Sequence, residues 1–257
     1  MDDEGRPDRP PPGGEGVEAA TGPPVDGEPH HRNVSGGAAR AAVFGVSDGL
    51  VSNVALILGV AGATPGAGVV RLAGIAGLIG GAVSMAAGEW VSMTAQTELL
   101  ERELAMEARE LARSPEAERA ELVAIYRSRG IEPETAERLA TEMMRTPEVA
   151  LETHAREELG IDPGSLGSPG AAAASSFAAF AGGALVPLVP WFVGSGAAAL
   201  AAAVVLTALT ALAVGAALAV FTGRSVRRTA LRQLALTAVP AAVTYGIGSV
   251  VGVGALG

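Results

Sequence analysis

GLIGGAVSMAAGEWVSMTAQTELLERELAMEARELARSP, residues 77–115, changes character halfway along. Up to about residue 95 it is nearly uncharged and built from small and apolar residues. From about 96 it is charged and helical in period, with Leu100, Leu104 and Leu111 beside an acidic face that includes Glu107. The first half suits lipid and the second suits water. The fold turns on where the chain passes from one to the other.

Working outward, residues 41–62 and 72–95 are both apolar enough and long enough to cross a bilayer, which takes about 20 residues at 1.5 Å each. The short connector ATPGAG makes them a hairpin. Beyond the charged stretch, 171–193, 197–220 and 231–255 are again apolar. The expected fold is an all-α integral membrane protein. It has five transmembrane helices and a helical insert, 96–166, between the second and third. Pro187 and Pro190 fall inside the third span and are expected to kink or end it. Within the insert, Ser114-Pro115 reads as an N-cap and first helical residue, Gly130 as a stop, and Pro133 and Thr146-Pro147 as further starts.

Composition agrees. The chain of 257 residues is 49% hydrophobic, and its mean hydropathy is +0.37, which is high for a water-soluble domain. There is no Cys, so disulfide and thiolate-metal chemistry are closed. All 18 basic residues are Arg; with the Ala, Gly and Pro load this suggests a high-GC bacterial genome. The net charge of −9 is concentrated in the first thirty residues and in 98–162, so no basic surface is offered to nucleic acid. Residues 1–35 are Pro, Gly, Asp and Glu with few apolar side chains, and are expected to be a disordered tail. They lack the basic and apolar regions of a signal peptide.

Charge also orients the spans. Arg32 and Arg40 precede the first, nine Arg lie in the insert, and Arg224, Arg227, Arg228 and Arg232 follow the fourth. The positive-inside rule places all three regions in the cytoplasm, leaving Arg71 alone on the other side and the C-terminus outside. A multi-pass protein of the cell membrane is expected. The spacings Gly45/Gly49, Gly77/Gly81 and Gly248/Gly252 permit close helix contact within or between chains, and count modestly towards a dimer.

Asp48 in the first span and Glu89 in the second are ionisable groups in apolar surroundings. Such groups face a cavity or partner when deep, or are hydrated when near the headgroups. Burial would raise a carboxylate's pKa and suit it to carrying a proton. Met85 by itself reads as core filler. In the insert, Glu107/Glu110 and Glu118/Glu121 are i,i+3 pairs that share a helix face, with Glu103 extending the first row. His154 and Glu158 are four apart, with Glu152 close by. Imidazole with carboxylates suits Fe(II), Mn(II) or Zn(II). A solvated acidic face paired by Arg102, Arg109, Arg113 and Arg119 is the other reading of the same residues. Position 151 is Leu, so the Glu-x-x-His of a ferritin-type di-iron site is missing before His154.

Together these motifs resemble the vacuolar iron transporter family of Fe²⁺/Mn²⁺ carriers, over about 31–255, here as a bacterial member. The resemblance is carried by HRNVSGGAARAAVFGVSDGLVS, GAVSMAAGEWVSM, MEARELARSPEAERAEL, TPEVALETHAREELG and GGALVPLVP, in that order. It implies five transmembrane helices with a cytoplasmic helical metal-binding insert, a homodimer with its pore at the dimer interface, and metal/proton antiport out of the cytoplasm. It makes Asp48 and Met85 pathway ligands; the residues themselves add Glu89 as a further candidate for proton coupling. The resemblance makes Glu107, Glu110, Glu118, Glu121 and Glu158 insert ligands. The sequence departs from the family at His154, where plant members carry Met, and at Ser35 and Gly36, where an acid is usual.

The expected function is therefore transport of Fe²⁺ and Mn²⁺, with Zn²⁺ a third candidate ion and no resident cofactor. A membrane-anchored metal sensor or buffer, and an interaction protein without transport, are the alternatives. No nucleophile–base set, phosphate loop or cofactor fingerprint points to an enzyme.

Overall fold

The structure is a computed structural model, described for residues 37–64, 66–165 and 167–254. The 1–35 tail, Arg32, Ser35 and Gly36 lie outside the described residues. The described chain is all-helical: α1 (Gly37–Ala63), α2 (Ala67–Arg113), α3 (Pro115–Ser128), α4 (Pro133–Met143), α5 (Pro147–Glu157), α6 (Pro169–Val193), α7 (Gly196–Thr222) and α8 (Val226–Gly254). Five of them, α1, α2, α6, α7 and α8, are long and apolar enough to cross a membrane.

The passage from apolar to charged sequence is not a break in the chain's path. α2 is one helix of 47 residues, about 70 Å long at 1.5 Å per residue, and it runs through residue 96 without interruption. No Gly or Pro stands between Gly88 and Ser114, and the residues there are good helix formers, so nothing in the local chemistry stops it. Met85 and Glu107 thus stand on one rigid element. α2 ends where the backbone N–H of Ser114 donates to Glu110, and Pro115 begins α3.

The predicted starts in the insert are observed, although Ser114 ahead of Pro115 makes no side-chain capping bond. Gly130 takes φ 89°, in the region that favours glycine, and closes α3. Glu132 accepts from the backbone N–H of Thr135 ahead of Pro133, and Thr146 accepts from that of Val149 ahead of Pro147. Leu122, Val123 and Tyr126 of α3 bury against Ala136 and Ala140 of α4, a small core separate from that of the long helices.

All five long helices meet in one apolar core, built on Val54 and Ile57 of α1, Val70 of α2, Leu188 and Trp191 of α6, Ala203 of α7 and Ala241 of α8. Leu72, Val91, Val220 and Val250 point outwards and are exposed, as expected of side chains that face lipid. Pro187 and Pro190 do not end α6, which runs unbroken to Val193 with both rings buried against neighbouring helices. Packing around the two rings holds the helix where an isolated segment would break. Pro240, half-buried, also sits inside an unbroken α8.

The glycine pairs do their packing within the chain. A Cβ on Gly49 would collide with the Phe180 carbonyl of α6, and one on Gly248 with the Gly59 carbonyl of α1. Gly77 and Gly81 face Asn53 and Phe180. These spacings are consumed by α1–α6, α1–α8 and α2 contacts, and so give no support to a dimer.

Candidate metal centre

Two groups of polar residues are assembled, one in the insert and one among the long helices. In the first, Glu107 of α2, Glu118 of α3, His154 of α5 and Glu158 just beyond α5 each offer one ligand atom, all within 4.8 Å of one another. Glu107 lies in the charged part of α2, twelve residues past the apolar stretch, or about 18 Å along the axis. His154 and Glu107 form the buried floor of the cluster, 0% and 3% exposed, while Glu158 lies at its exposed edge.

The imidazole is the hub. Its Nδ1 lies 3.1 Å from Glu107 Oε1, 3.4 Å from Glu158 Oε2 and 3.9 Å from Glu118 Oε2. Two ligands each about 2.1 Å from a metal ion stand about 3.0 Å apart at a right angle and about 3.4 Å apart at the tetrahedral angle. The Glu107 and Glu158 separations fall in that range, whereas Glu118, at 3.9 Å, must move inwards to join the same ion. Glu107 Oε1 and His154 Nε2 are both buried without a hydrogen-bond partner. A buried carboxylate oxygen left without a donor is a rare and unfavourable arrangement that a cation would satisfy. A cation at Nδ1 requires the tautomer that carries its proton on Nε2.

Electrostatics agree. Glu107 is pushed up to about 7, first by burial and then by the charge of Glu158, with His154 opposing. Glu118 is raised by burial and by Glu121. Among the described residues, no arginine ion pair reaches the four. Arg119 is instead engaged by Glu116 and Glu137, Arg129 by Glu157, and Arg156 by Glu152 and Asp162.

The expected ligand row is thus split. Glu107 and Glu118 enter the cluster, whereas Glu110 and Glu121, three residues on, stay exposed and outside it. Three residues turn a helix by 300°, and that 60° offset suffices to put one carboxylate inside and the other on the rim. Their charges still reach the buried pair. Glu152 is exposed, in an ion pair of 2.7 Å with Arg156, and contributes no ligand.

The second group lines a cavity of about 300 Å³ between α1 and α2, closed on one side by Phe180 of α6. Asp48, Ser52 and Asn53 come from α1 and Met85 from α2. Asp48 accepts a hydrogen bond of 3.1 Å from Ser52. The structure therefore brings Asp48 and Met85 to one cavity. Glu89, one turn beyond Met85, is not among the residues lining it. Asn53 was missed in the sequence, although an amide five residues after Asp48 in an apolar run is itself a signal.

Five membrane-length helices carrying a buried acid–imidazole cluster and a carboxylate–thioether cavity define a multi-pass membrane protein with two candidate cation sites. Residues 39–249 match the model of the VIT family, and the chain belongs to that family. It is 38% identical over 148 residues to a vacuolar iron transporter of Acanthamoeba castellanii, covering 57% of this chain and 53% of that protein. It is 33% identical over 136 residues to vacuolar iron transporter 1 of Arabidopsis thaliana, covering 52% and 54%. A vacuolar iron transporter of Toxoplasma gondii is 37% identical over 101 residues. The chain spans about half the length of the curated relatives it matches.

Proposed function

We propose that this protein is a transporter of divalent iron and manganese, not an enzyme, and that it exchanges metal for protons to clear the cytoplasm of metal. The observation that carries the proposal is the Glu107–Glu118–His154–Glu158 group, whose buried, unpartnered carboxylate oxygen belongs to Glu107, on the same helix as Met85 of the cavity. Family membership and relatives named as vacuolar iron transporters support iron as cargo. The oxygen-rich set with one imidazole suits Fe²⁺, Mn²⁺ and Zn²⁺.

In this mechanism residues 96–166 form a cytoplasmic unit that captures the ion. Residues 36–95 and 167–257 form the membrane unit, and 1–35 a tail. Metal displaces the proton that Glu107 holds near neutral pH and neutralises the crowded carboxylates. Glu110 and Glu121 on the rim attract cations towards the cluster. The ion then passes to Asp48 and Met85, and Asp48 or Glu89 takes up a proton as metal leaves.

Two chains act together, with the Asp48 cavity at their interface. In support, Phe44 and Leu56 at the cavity rim are exposed, as apolar side chains that a second copy would cover. We place the protein in the cell membrane of a bacterium, on the arginine-only composition and the positions of the arginines. The insert and N-terminus face the cytoplasm and the C-terminus faces out.

Proteoliposomes test this directly. Fe²⁺, Mn²⁺ and Zn²⁺ are offered outside under an imposed pH gradient, and uptake and proton flux are followed together. Coupled uptake is expected. Metal binding without uptake would instead make the protein a membrane-anchored buffer or sensor, and neither binding nor uptake would make it an interaction protein.

A further inference from the structure

We infer that Asn53 is an oxygen ligand for the cation at the inner end of the α1–α2 cavity, and that it determines which divalent ions pass. The assignment rests on the transport function proposed above. Asn53 stands five residues beyond Asp48 on α1, about 7.5 Å further along the helix axis. It is 1% exposed, among the most buried polar side chains of the long helices.

Its orientation is set by chemistry. Nδ2 donates to the carbonyl oxygen of Ala184 on α6 at 2.6 Å. Only the amide NH₂ can meet a carbonyl, so Oδ1 must point the other way. There it is buried without a hydrogen-bond partner. It faces Gly77 of α2, where a Cβ would stand 2.7 Å away. Glycine at that position leaves Oδ1 without a side chain pressed against it, and both residues line the cavity shared with Asp48 and Met85.

A pure tether between α1 and α6 would need only the Nδ2 bond. An apolar wall would need no amide at all. A buried carbonyl oxygen without a donor, in a cavity that also holds a carboxylate and a thioether, is the arrangement of a ligand awaiting a partially dehydrated cation. Its hardness also matters. Met85 offers a soft sulfur that favours soft ions, whereas an amide oxygen favours Mn²⁺ and Fe²⁺ over Cd²⁺. Asn53 would therefore offset the sulfur and keep the pathway open to the harder ions.

The test compares Mn²⁺ and Cd²⁺ uptake into proteoliposomes by wild type, Asn53→Met and Asn53→Asp, with folding checked by thermal melting in detergent. Asn53→Met removes the oxygen and supplies a second sulfur. Mn²⁺ uptake should fall about tenfold while Cd²⁺ uptake stays within about twofold. Asn53→Asp loses the Nδ2 tether but keeps an oxygen, and should hold the wild-type Mn²⁺/Cd²⁺ ratio. An equal fall for both ions in Asn53→Met, or the same profile in both variants, overturns the ligand role and leaves a tether. Should Asn53→Met fail to fold, Gly77→Ala crowds Oδ1 while keeping the tether. A fall in the Mn²⁺/Cd²⁺ ratio supports the role, and an unchanged ratio overturns it. Wild type that moves neither ion overturns the transport function and this assignment together, whereas loss confined to the variants' selectivity concerns Asn53 alone.

Discussion

His154 Nδ1 and Glu107 Oε1 lie 3.1 Å apart in the protein interior, yet Glu107 Oε1 makes no hydrogen bond. Two more carboxylates close on the same nitrogen. Without a cation, three acids crowd one ring, and like charge adds to burial in raising the proton affinity of Glu107 and Glu118. Binding and stability should therefore respond in opposite directions when one acid is neutralised.

Glu107→Gln keeps the shape and removes the charge. Mn²⁺ affinity should fall at least about tenfold by calorimetry, the loss of one charged ligand amounting to about 1.4 kcal/mol or more. The metal-free protein should melt higher than wild type, because the buried carboxylate and its repulsion are gone. Glu110→Gln and Glu121→Gln, on exposed side chains, should each change affinity by less than about threefold, and that change should shrink in high salt.

The pH dependence follows from the raised pKa of Glu107. Its folded value, about 7, exceeds the ordinary 4.5, so between those limits the folded protein holds the extra proton. Stability of the metal-free protein is then present below about pH 4.5 and is lost as pH rises through 7. Its melting temperature should drop from pH 5.5 to 8, and saturating Mn²⁺ should abolish the drop. Metal affinity should rise over the same range, with proton release on binding detectable by calorimetry in buffers of different ionisation enthalpy. A flat melting profile would remove Glu107 as the titrating group.

Asp48→Ala should separate capture from passage. Transport should fall by about tenfold or more, as expected for removing the one charged ligand of an intramembrane site. Calorimetric binding in the insert should be unchanged, since Asp48 lies in the α1–α2 cavity and outside the four-residue cluster. Unchanged transport would remove Asp48 from the pathway.

Gly49→Ala tests the packing rather than the chemistry. A Cβ there meets the Phe180 backbone and not a flexible side-chain end, so relief requires α1 and α6 to separate. A destabilisation of about 1–3 kcal/mol is expected, read as a lower melting temperature in detergent. Gly80→Ala, whose Cβ would meet nothing, is the control and should melt like wild type.

Hydropathy and charge, summed over windows, specify the five apolar helices, the position of the insert and the helix starts at Pro115, Pro133 and Pro147. These are local properties: each segment declares its preferred solvent, and each proline restricts its own backbone. Asp48, Met85, Glu107, Glu118, His154 and Glu158 were legible as residue types in apt places. Only the tertiary structure decided the rest. It set Met85 and Glu107 on one helix while gathering the other ligands from α3 and α5. It kept α6 intact through Pro187 and Pro190, because packing outweighs an isolated segment's tendency to break. It turned the GxxxG spacings inward, and it chose Glu107 and Glu118 over Glu110 and Glu121. That choice depends on the angle at which α2, α3 and α5 converge, which no single helix encodes. The orphaned oxygens of Glu107 and Asn53 belong to the same category. A missing hydrogen bond is a property of everything around an atom, and it exists only once the helices have met.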